Sequence, residues 1–164
     1  MQKVTTFLWF DKEAEEAMNF YVDTFKGAPS KEAHDSGIIS IDKYPGGYSE
    51  GPLAGMENKV LNGVFKLAGQ QFFCLDGGPI FKFNESISLM VECEDQAEID
   101  YFWEKFSAVK ESEQCGWLKD KFGLSWQIIP KNMGELLSKP GAMDAMLKMK
   151  KLDIKGLQEA GKGA

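Results

Sequence analysis

Residues 7–25 read FLWFDKEAEEAMNFYVDTF, and residues 88–106 read SLMVECEDQAEIDYFWEKF. The two segments align without a gap at a constant offset of 81. Leu8 meets Leu89, Phe10 meets Val91, Asp11 meets Glu92 and Phe25 meets Phe106. The aromatic pair Phe20-Tyr21 meets Tyr101-Phe102, and Asp23 meets Glu104. Each copy runs from a short apolar strand through an acidic turn into an amphipathic helix. Ala14, Ala17, Met18, Tyr21, Val22 and Phe25 share one face of the first helix, and Ile99, Phe102, Trp103 and Phe106 share one face of the second. Asp95 with Glu98 has the spacing of a capping box, with Asp in place of Ser or Thr. A repeat of this kind predicts two copies of one supersecondary unit.

Working outward, each helix precedes strand-like runs. The first is followed by GIISIDKY (37–44), KVLNGVFKL (59–67) and QQFFCLD (70–76). The second is followed by the stretch around 109–112, CGWLKD (115–120) and LSWQIIP (124–130). Ala68-Gly69 and Phe122-Gly123 stand at hairpin positions. Each half therefore reads βαβββ. The expected architecture is an α+β domain over 1–138, with modules at about 1–80 and 81–138. The loop 44–58, YPGGYSEGPLAGMEN, is long and rich in Gly and Pro; it reads either as the rim of a site or as a plain surface loop.

Residues 139–164 carry six lysines and three acids, a net +3, against −9 for the residues before them. They read as an extra C-terminal helical tail, with Met143, Met146 and Leu147 on one face, continued by Leu152, Ile154 and Leu157. A basic amphipathic helix can seek membranes or calmodulin. Packing on the acidic body or on a partner subunit is the plainer expectation.

Composition narrows the function classes. The 164 residues include 43% hydrophobic and 12% aromatic side chains, enough for a real core. There are 19 lysines, no arginine, 25 acids and one histidine, for a net charge of −6. With pI about 4.9, general affinity for nucleic acid is not expected. Without arginine there is no bidentate fork for phosphate or carboxylate. A Ser–His–Asp arrangement would have to run through His34, which has no nucleophile near it in sequence and reads as a surface residue. Cys74, Cys93 and Cys115 are spaced by 19 and 22 residues and form no C-x-x-C pattern. They read as reduced thiols in a cytoplasmic protein. The N-terminal run is too short for a signal peptide, and no window is apolar enough to span a membrane.

Two tandem βαβββ modules resemble the vicinal oxygen chelate superfamily, the fold of glyoxalase I, bleomycin-resistance proteins and extradiol dioxygenases. The strings FLWFDKEAEEAMNFY, VLNGVFKLAGQQFFCLDGG, CGWLKDKFGLSWQIIP and MDAMLKMKKLDIKGLQEA resemble its PhnB-like branch over about residues 1–160. That branch often carries the 3-demethylubiquinone-9 3-methyltransferase domain name. The resemblance implies that each module curls its mixed sheet into a half-barrel with the helix outside, that the halves enclose a cleft, and that the chain forms a homodimer. It also implies a place for a divalent metal, held by His, Gln or Glu near the start of each module's first strand and in its last strand. Those places fall at Thr6, Phe73 or Cys74, Ile87 or Ser88, and Gln127. Gln127 alone is a plausible ligand, so no metal and no other cofactor is expected.

The candidate lining of a cavity is Thr6, Trp9, Asn62, Cys74, Asp76, Ser88, Cys115, Trp117, Trp126 and Gln127. Apolar walls with a few amide handles suit a small molecule. The competing reading is that the tryptophans fill core, that the thiols are buried hydrophobes, and that Asp76 in Asp-Gly-Gly-Pro belongs to a turn. Methyl transfer of the usual S-adenosylmethionine kind finds no support, because the first strand leads into FDKEAEE without a glycine. The expected function is binding of a small apolar or aromatic molecule in a metal-free cavity. The alternative is a glyoxalase-like lyase or isomerase, or a dioxygenase-type metalloenzyme.

Overall fold

The first strand of the repeat places Leu8 and Phe10 on one face and Phe7 and Trp9 on the other, and the burial pattern alternates accordingly. In the computed structural model, which describes residues 3–162, this strand begins the first of two compact units, joined at Lys82–Phe83. The first unit contains β1 (Thr6–Phe10), α1 (Ala14–Lys26), β2 (Gly37–Lys43), β3 (Val60–Leu67) and β4 (Gln70–Asp76). Its sheet order is β1-β4-β3-β2, with β1 and β4 parallel and the other pairs antiparallel.

All six apolar residues assigned by spacing to one face of α1 are buried. They pack over Leu8, Phe10, Phe65, Phe72 and Cys74, which are also buried. Each large side chain removed from water in this way contributes about 1.5–3 kcal/mol. The helix reaches the sheet because Gly63 has no side chain. A Cβ there would lie 2.7 Å from Cys74 Sγ and 2.8 Å from Met18 Sδ. The β3–β4 hairpin turns at Ala68 and Gly69, both with positive φ.

The second unit contains β5 (Ser88–Cys93), α2 (Gln96–Phe106), β6 (Trp117–Lys119), β7 (Ser125–Pro130) and three short helices, α3 (Met133–Leu137), α4 (Ala142–Met146) and α5 (Ile154–Ala160). Its sheet order is β5-β7-β6, with β5 and β7 parallel. Half of the capping box is present: Asp95 Oδ1 accepts the Glu98 N–H at 3.0 Å, but Glu98 Oε2 accepts the N–H of Glu94, one residue before the N-cap, at 2.8 Å. Ile99, Phe102, Trp103 and Phe106 are buried beneath α2, as their spacing predicts.

Two expectations are corrected in this unit. The stretch around 109–112 is not a strand; Lys110–Ser112 is a 3-10 turn, and the sheet has three strands among the described residues. Val109-Lys110-Glu111-Ser112 offers one apolar residue and no alternation. The buried Glu113 carboxylate draws the chain back by accepting Ser107 Oγ–H at 2.5 Å and Lys110 Nζ at 2.9 Å.

The tail, 139–164, is two helices, α4 and α5, and not one. Gly141 sits at φ +82 before α4, and residues between α4 and α5 run beside Cys115 and Gly116, just before β6, instead of continuing the helix. There the Cys115 and Gly116 N–H groups donate to the carbonyls of Met149 and Lys150 at 2.9 and 2.8 Å. Met143 and Leu147 are consequently exposed, whereas Leu152 and Leu157 of the expected apolar face are buried, as are Leu136 and Ala142. Leu152 lies on Gly116, where a Cβ would meet it at 3.0 Å. The tail lysines meet acids of the second unit, Lys151 with Asp100 at 2.5 Å and Lys150 with Glu113 at 3.7 Å. The packing expected between a basic tail and an acidic body is thus realised within this unit. No helix among the described residues is long and apolar enough to cross a membrane.

Candidate functional site

Among the described residues, α1 covers one face of the first sheet and α2 one face of the second, and the opposite face of each is termed helix-free. Period-two alternation decides which candidate residues can act together. In the first unit, Thr6, Leu8 and Phe10 register with Phe72, Cys74 and Asp76 on the helix side. Trp9 faces the other way. Thr6 and Trp9 therefore cannot line one surface, and Cys74 and Asp76 fall with Thr6. Asn62 precedes Gly63, which faces the helix, so Asn62 points to the same side as Trp9. Of the five first-unit candidates, only Trp9 and Asn62 share the helix-free face.

Trp9 is firmly placed there. Its Nε1–H donates to the Gly78 carbonyl at 3.0 Å, and Phe81 meets it edge-on at 5.0 Å. Gly77 is required beneath the indole, because a Cβ would lie 2.1 Å from Trp9 Cζ2. Phe7 and Phe73 stack at 6.1 Å on this same face. Neither is among the cavity-lining candidates, although Phe73 stands at one of the metal-ligand places that the resemblance implies. Phe7 was legible from its two-residue spacing to Trp9, but Phe73 needed the register between β1 and β4.

Cys74 and Asp76 serve the fold. Burial, and secondarily the charge of Asp76, pushes the Cys74 thiol up to about 12, so it is no nucleophile at neutral pH. The buried Asp76 carboxylate accepts the N–H groups of Ala14 and Val60, each at 2.8 Å. Burial raises its pKa, and those two hydrogen bonds oppose the rise. His34 is exposed in a 3-10 turn, with Nε2 2.8 Å from the Ala28 carbonyl.

In the second unit, Trp126 and Cys115 leave the candidate surface. Trp126 is 1% exposed, stacks on Phe106 at 4.4 Å, and donates its Nε1–H to buried Asp120 at 2.8 Å. It fills core. Cys115 sits at φ +51 outside the strand, with Sγ 3.4 Å from the Met146 carbonyl, against the tail. Ser88, Trp117 and Gln127 do come together. Gln127 is central on β7, in register with Met90 of β5 on one side and Trp117 of β6 on the other. Its Nε2–H donates to Ser88 Oγ at 2.9 Å. Trp126 and Ile128 face the core, so this row lies on the helix-free face. Met90, 55% exposed, is a further member that the candidate set omitted. It was legible as the residue aligned with Trp9 at the repeat offset. Lys119 lies on the same face, paired with Glu85.

Residues 2–129 match the family described as 3-demethylubiquinone-9 3-methyltransferase. The chain belongs to that family. It is also similar to the solved structure of the PhnB protein from Bacillus cereus, which carries the same methyltransferase label. Identity is 38%, over 79% of this chain and 99% of that one, with a TM-score of 0.62. The protein PA1353 from Pseudomonas aeruginosa shares the fold at 12% identity, over 80% of this chain and 98% of that one, with a TM-score of 0.56. No curated protein matches the chain. The family match stops at residue 129, so α3–α5 lie beyond it, whereas the sequence resemblance runs to about 160.

The PhnB-like chain does not fit the divalent metal that its wider superfamily implies. Thr6 is turned to the helix side, Phe73 offers carbon, Cys74 is locked in core, and Ile87 is an exposed aliphatic. Ser88 and Gln127 remain, two neutral groups already bonded to each other. Hard cations want several charged oxygens or imidazoles. Among the described residues, no group of three or more His, Cys, Asp or Glu is gathered to hold an ion. The methyltransferase label finds no counterpart in these residues either. β1 leads to α1 through Asp11-Lys12-Glu13, without the glycine turn that lets a backbone approach a nucleotide-like cofactor.

Proposed function

We propose that this PhnB-like protein binds a small apolar or aromatic molecule without a metal ion, on the helix-free face of its sheet. The observation that carries this reading is the row Met90–Gln127–Trp117 across the second sheet. It sets one amide between an exposed thioether and an indole, which is the composition of a small-molecule site: apolar walls with a few placed polar groups. The aromatic face of Phe7, Trp9 and Phe73 supports the same reading in the first unit. A homodimer in the cytoplasm, with thiols reduced, completes the proposal.

The test is native mass spectrometry of the purified full chain, with metal analysis of the same sample. A bound organic molecule of a few hundred daltons at substoichiometric metal supports the reading. Stoichiometric nickel, zinc, iron or manganese would overturn it in favour of a glyoxalase-like lyase or isomerase, or a dioxygenase-type metalloenzyme.

A further inference from the structure

The Gln127–Ser88 pair has a chemical property that neither residue has alone. A glutamine amide carries two donors and one acceptor, and a serine hydroxyl carries one donor and two lone pairs. Gln127 spends one N–H on Ser88 Oγ at 2.9 Å. That bond fixes the amide, leaving Oε1 as a positioned acceptor, and leaves the Ser88 hydroxyl hydrogen as a donor beside it. Turning the amide over, so that Ser88 donates to Oε1, leaves Nε2–H as donor and Ser88 Oγ as acceptor. Either way the pair presents one donor next to one acceptor.

The surroundings decide what such an edge would meet. Met90 and Trp117 stand in register on the two sides of Gln127 and offer apolar, polarisable surface suited to a flat ring. The cation on this face, Lys119, is held by Glu85, and Glu92 lies two residues along β5 from Met90. The face therefore carries no net positive charge to attract an anion.

We propose that Gln127 and Ser88 together recognise the lactam edge of a neutral planar ring compound: an adjacent ring N–H and C=O, received by paired hydrogen bonds, as donor–acceptor patterns are read on a nucleobase edge. The proposal rests on the small-molecule reading above and names the class of ligand for it. An analogue lacking either group leaves a polar atom of the pair unmatched, and this is the source of discrimination.

The experiment titrates the full chain with three bicyclic probes of similar size, 2-quinolone, quinoline and naphthalene, following tryptophan fluorescence and calorimetry. 2-Quinolone, which has the lactam edge, is expected to bind about tenfold more tightly than quinoline, which keeps only a ring-nitrogen acceptor, or naphthalene, which has no polar group. Gln127→Leu is expected to abolish that preference, so that 2-quinolone binds no more tightly than naphthalene does. Ser88→Ala, the smaller change, is expected to reduce it several-fold. Equal affinity for the three probes, or a preference that survives both substitutions, would overturn the lactam assignment while the small-molecule reading stands. Failure of all three probes to bind, or a fluorescence response that persists unchanged in Trp117→Phe, would overturn both.

Discussion

The Asp76 carboxylate at the end of β4 caps helix α1 at Ala14, whose N–H it accepts at 2.8 Å. The helix has no side-chain cap of its own at Glu13, so a residue 62 positions away supplies it. The second carboxylate oxygen accepts the Val60 N–H at the start of β3, and Tyr44 Oη–H donates to the Asp76 carbonyl at 3.0 Å. One aspartate thus ties α1, β3, β4 and the loop after β2.

Asp76→Ala leaves two buried N–H groups unmatched and is expected to destabilise the first unit by about 2–4 kcal/mol, read by denaturant unfolding. Asp76→Asn, which keeps the shape, should lose about half of that. The pH dependence has a definite sign. Burial raises the folded-state pKa above 3.8, so the folded state holds this proton more tightly than the unfolded chain. The group's contribution is fully present below 3.8 and declines as pH rises through the raised value. The stability gap between the native protein and Asp76→Asn should therefore be larger near that acid end than at neutrality. A gap that widens towards neutral pH would contradict the assignment.

Gln96 grips the tail on both sides of Asp153. Its Oε1 accepts the Ile154 N–H at 2.9 Å, and its Nε2–H donates to the Leu152 carbonyl at 3.0 Å. Gln96→Ala removes both bonds while the apolar anchors Leu152 and Leu157 stay in place. The expected loss is about 1–2 kcal/mol. Amide exchange should accelerate selectively around 147–157, with the β5–β7 pair unaffected. Uniform acceleration through the unit would show that the tail is integral to its global stability.

The fold was legible wherever the physics is local. The repeat at offset 81, the buried faces of both helices and the Asp95 cap on the Glu98 N–H all follow from spacing, and all are present. Elements set by long-range partners were not legible. The turn at 110–112 forms because the buried Glu113 carboxylate accepts from Ser107 and Lys110, and the tail breaks into α4 and α5 because Cys115 and Gly116, just before β6, supply backbone donors to Met149 and Lys150. For the site, residue type found the right strands, but strand period was decisive between neighbours. Trp117 and Gln127 share a face with Ser88, whereas Trp126, one residue from Gln127, stacks in core. Cys74 and Asp76 are on the wrong side of β4 for the same reason.

The three thiols should differ sharply in reactivity. Burial raises the pKa of Cys93, as it does that of Cys74, which reaches about 12. Both are fully enclosed, whereas Cys115 is partly exposed. A thiol-exchange reagent at neutral pH is expected to label one cysteine per native chain, with Cys115→Ser abolishing that labelling, and all three after denaturation. Rapid labelling of Cys74 or Cys93 in the native state would show that the helix-side core opens readily.

The approach of α1 to β3 depends on one missing methyl group. Gly63 faces Cys74 Sγ and Met18 Sδ within 2.8 Å of where a Cβ would stand. Neither neighbour can retreat freely, because Met18 is wholly buried in α1 and Cys74 is wholly buried in β4. Gly63→Ala is expected to destabilise by about 1–3 kcal/mol through overpacking, despite the better strand propensity of alanine. Gly37→Ala serves as the control, because its added Cβ meets nothing within 4 Å and its φ is not in the left-handed region. That variant should be neutral or slightly stabilising through the unfolded chain. The same buried pair offers a compensation. Met18→Ala in the Gly63→Ala background removes the clashing thioether, so the double variant should lose less stability than the two single losses added together. Strict additivity, measured as a double-mutant cycle by denaturant unfolding, would show that α1 shifts to relieve the contact and that the glycine is not what sets its distance from the sheet.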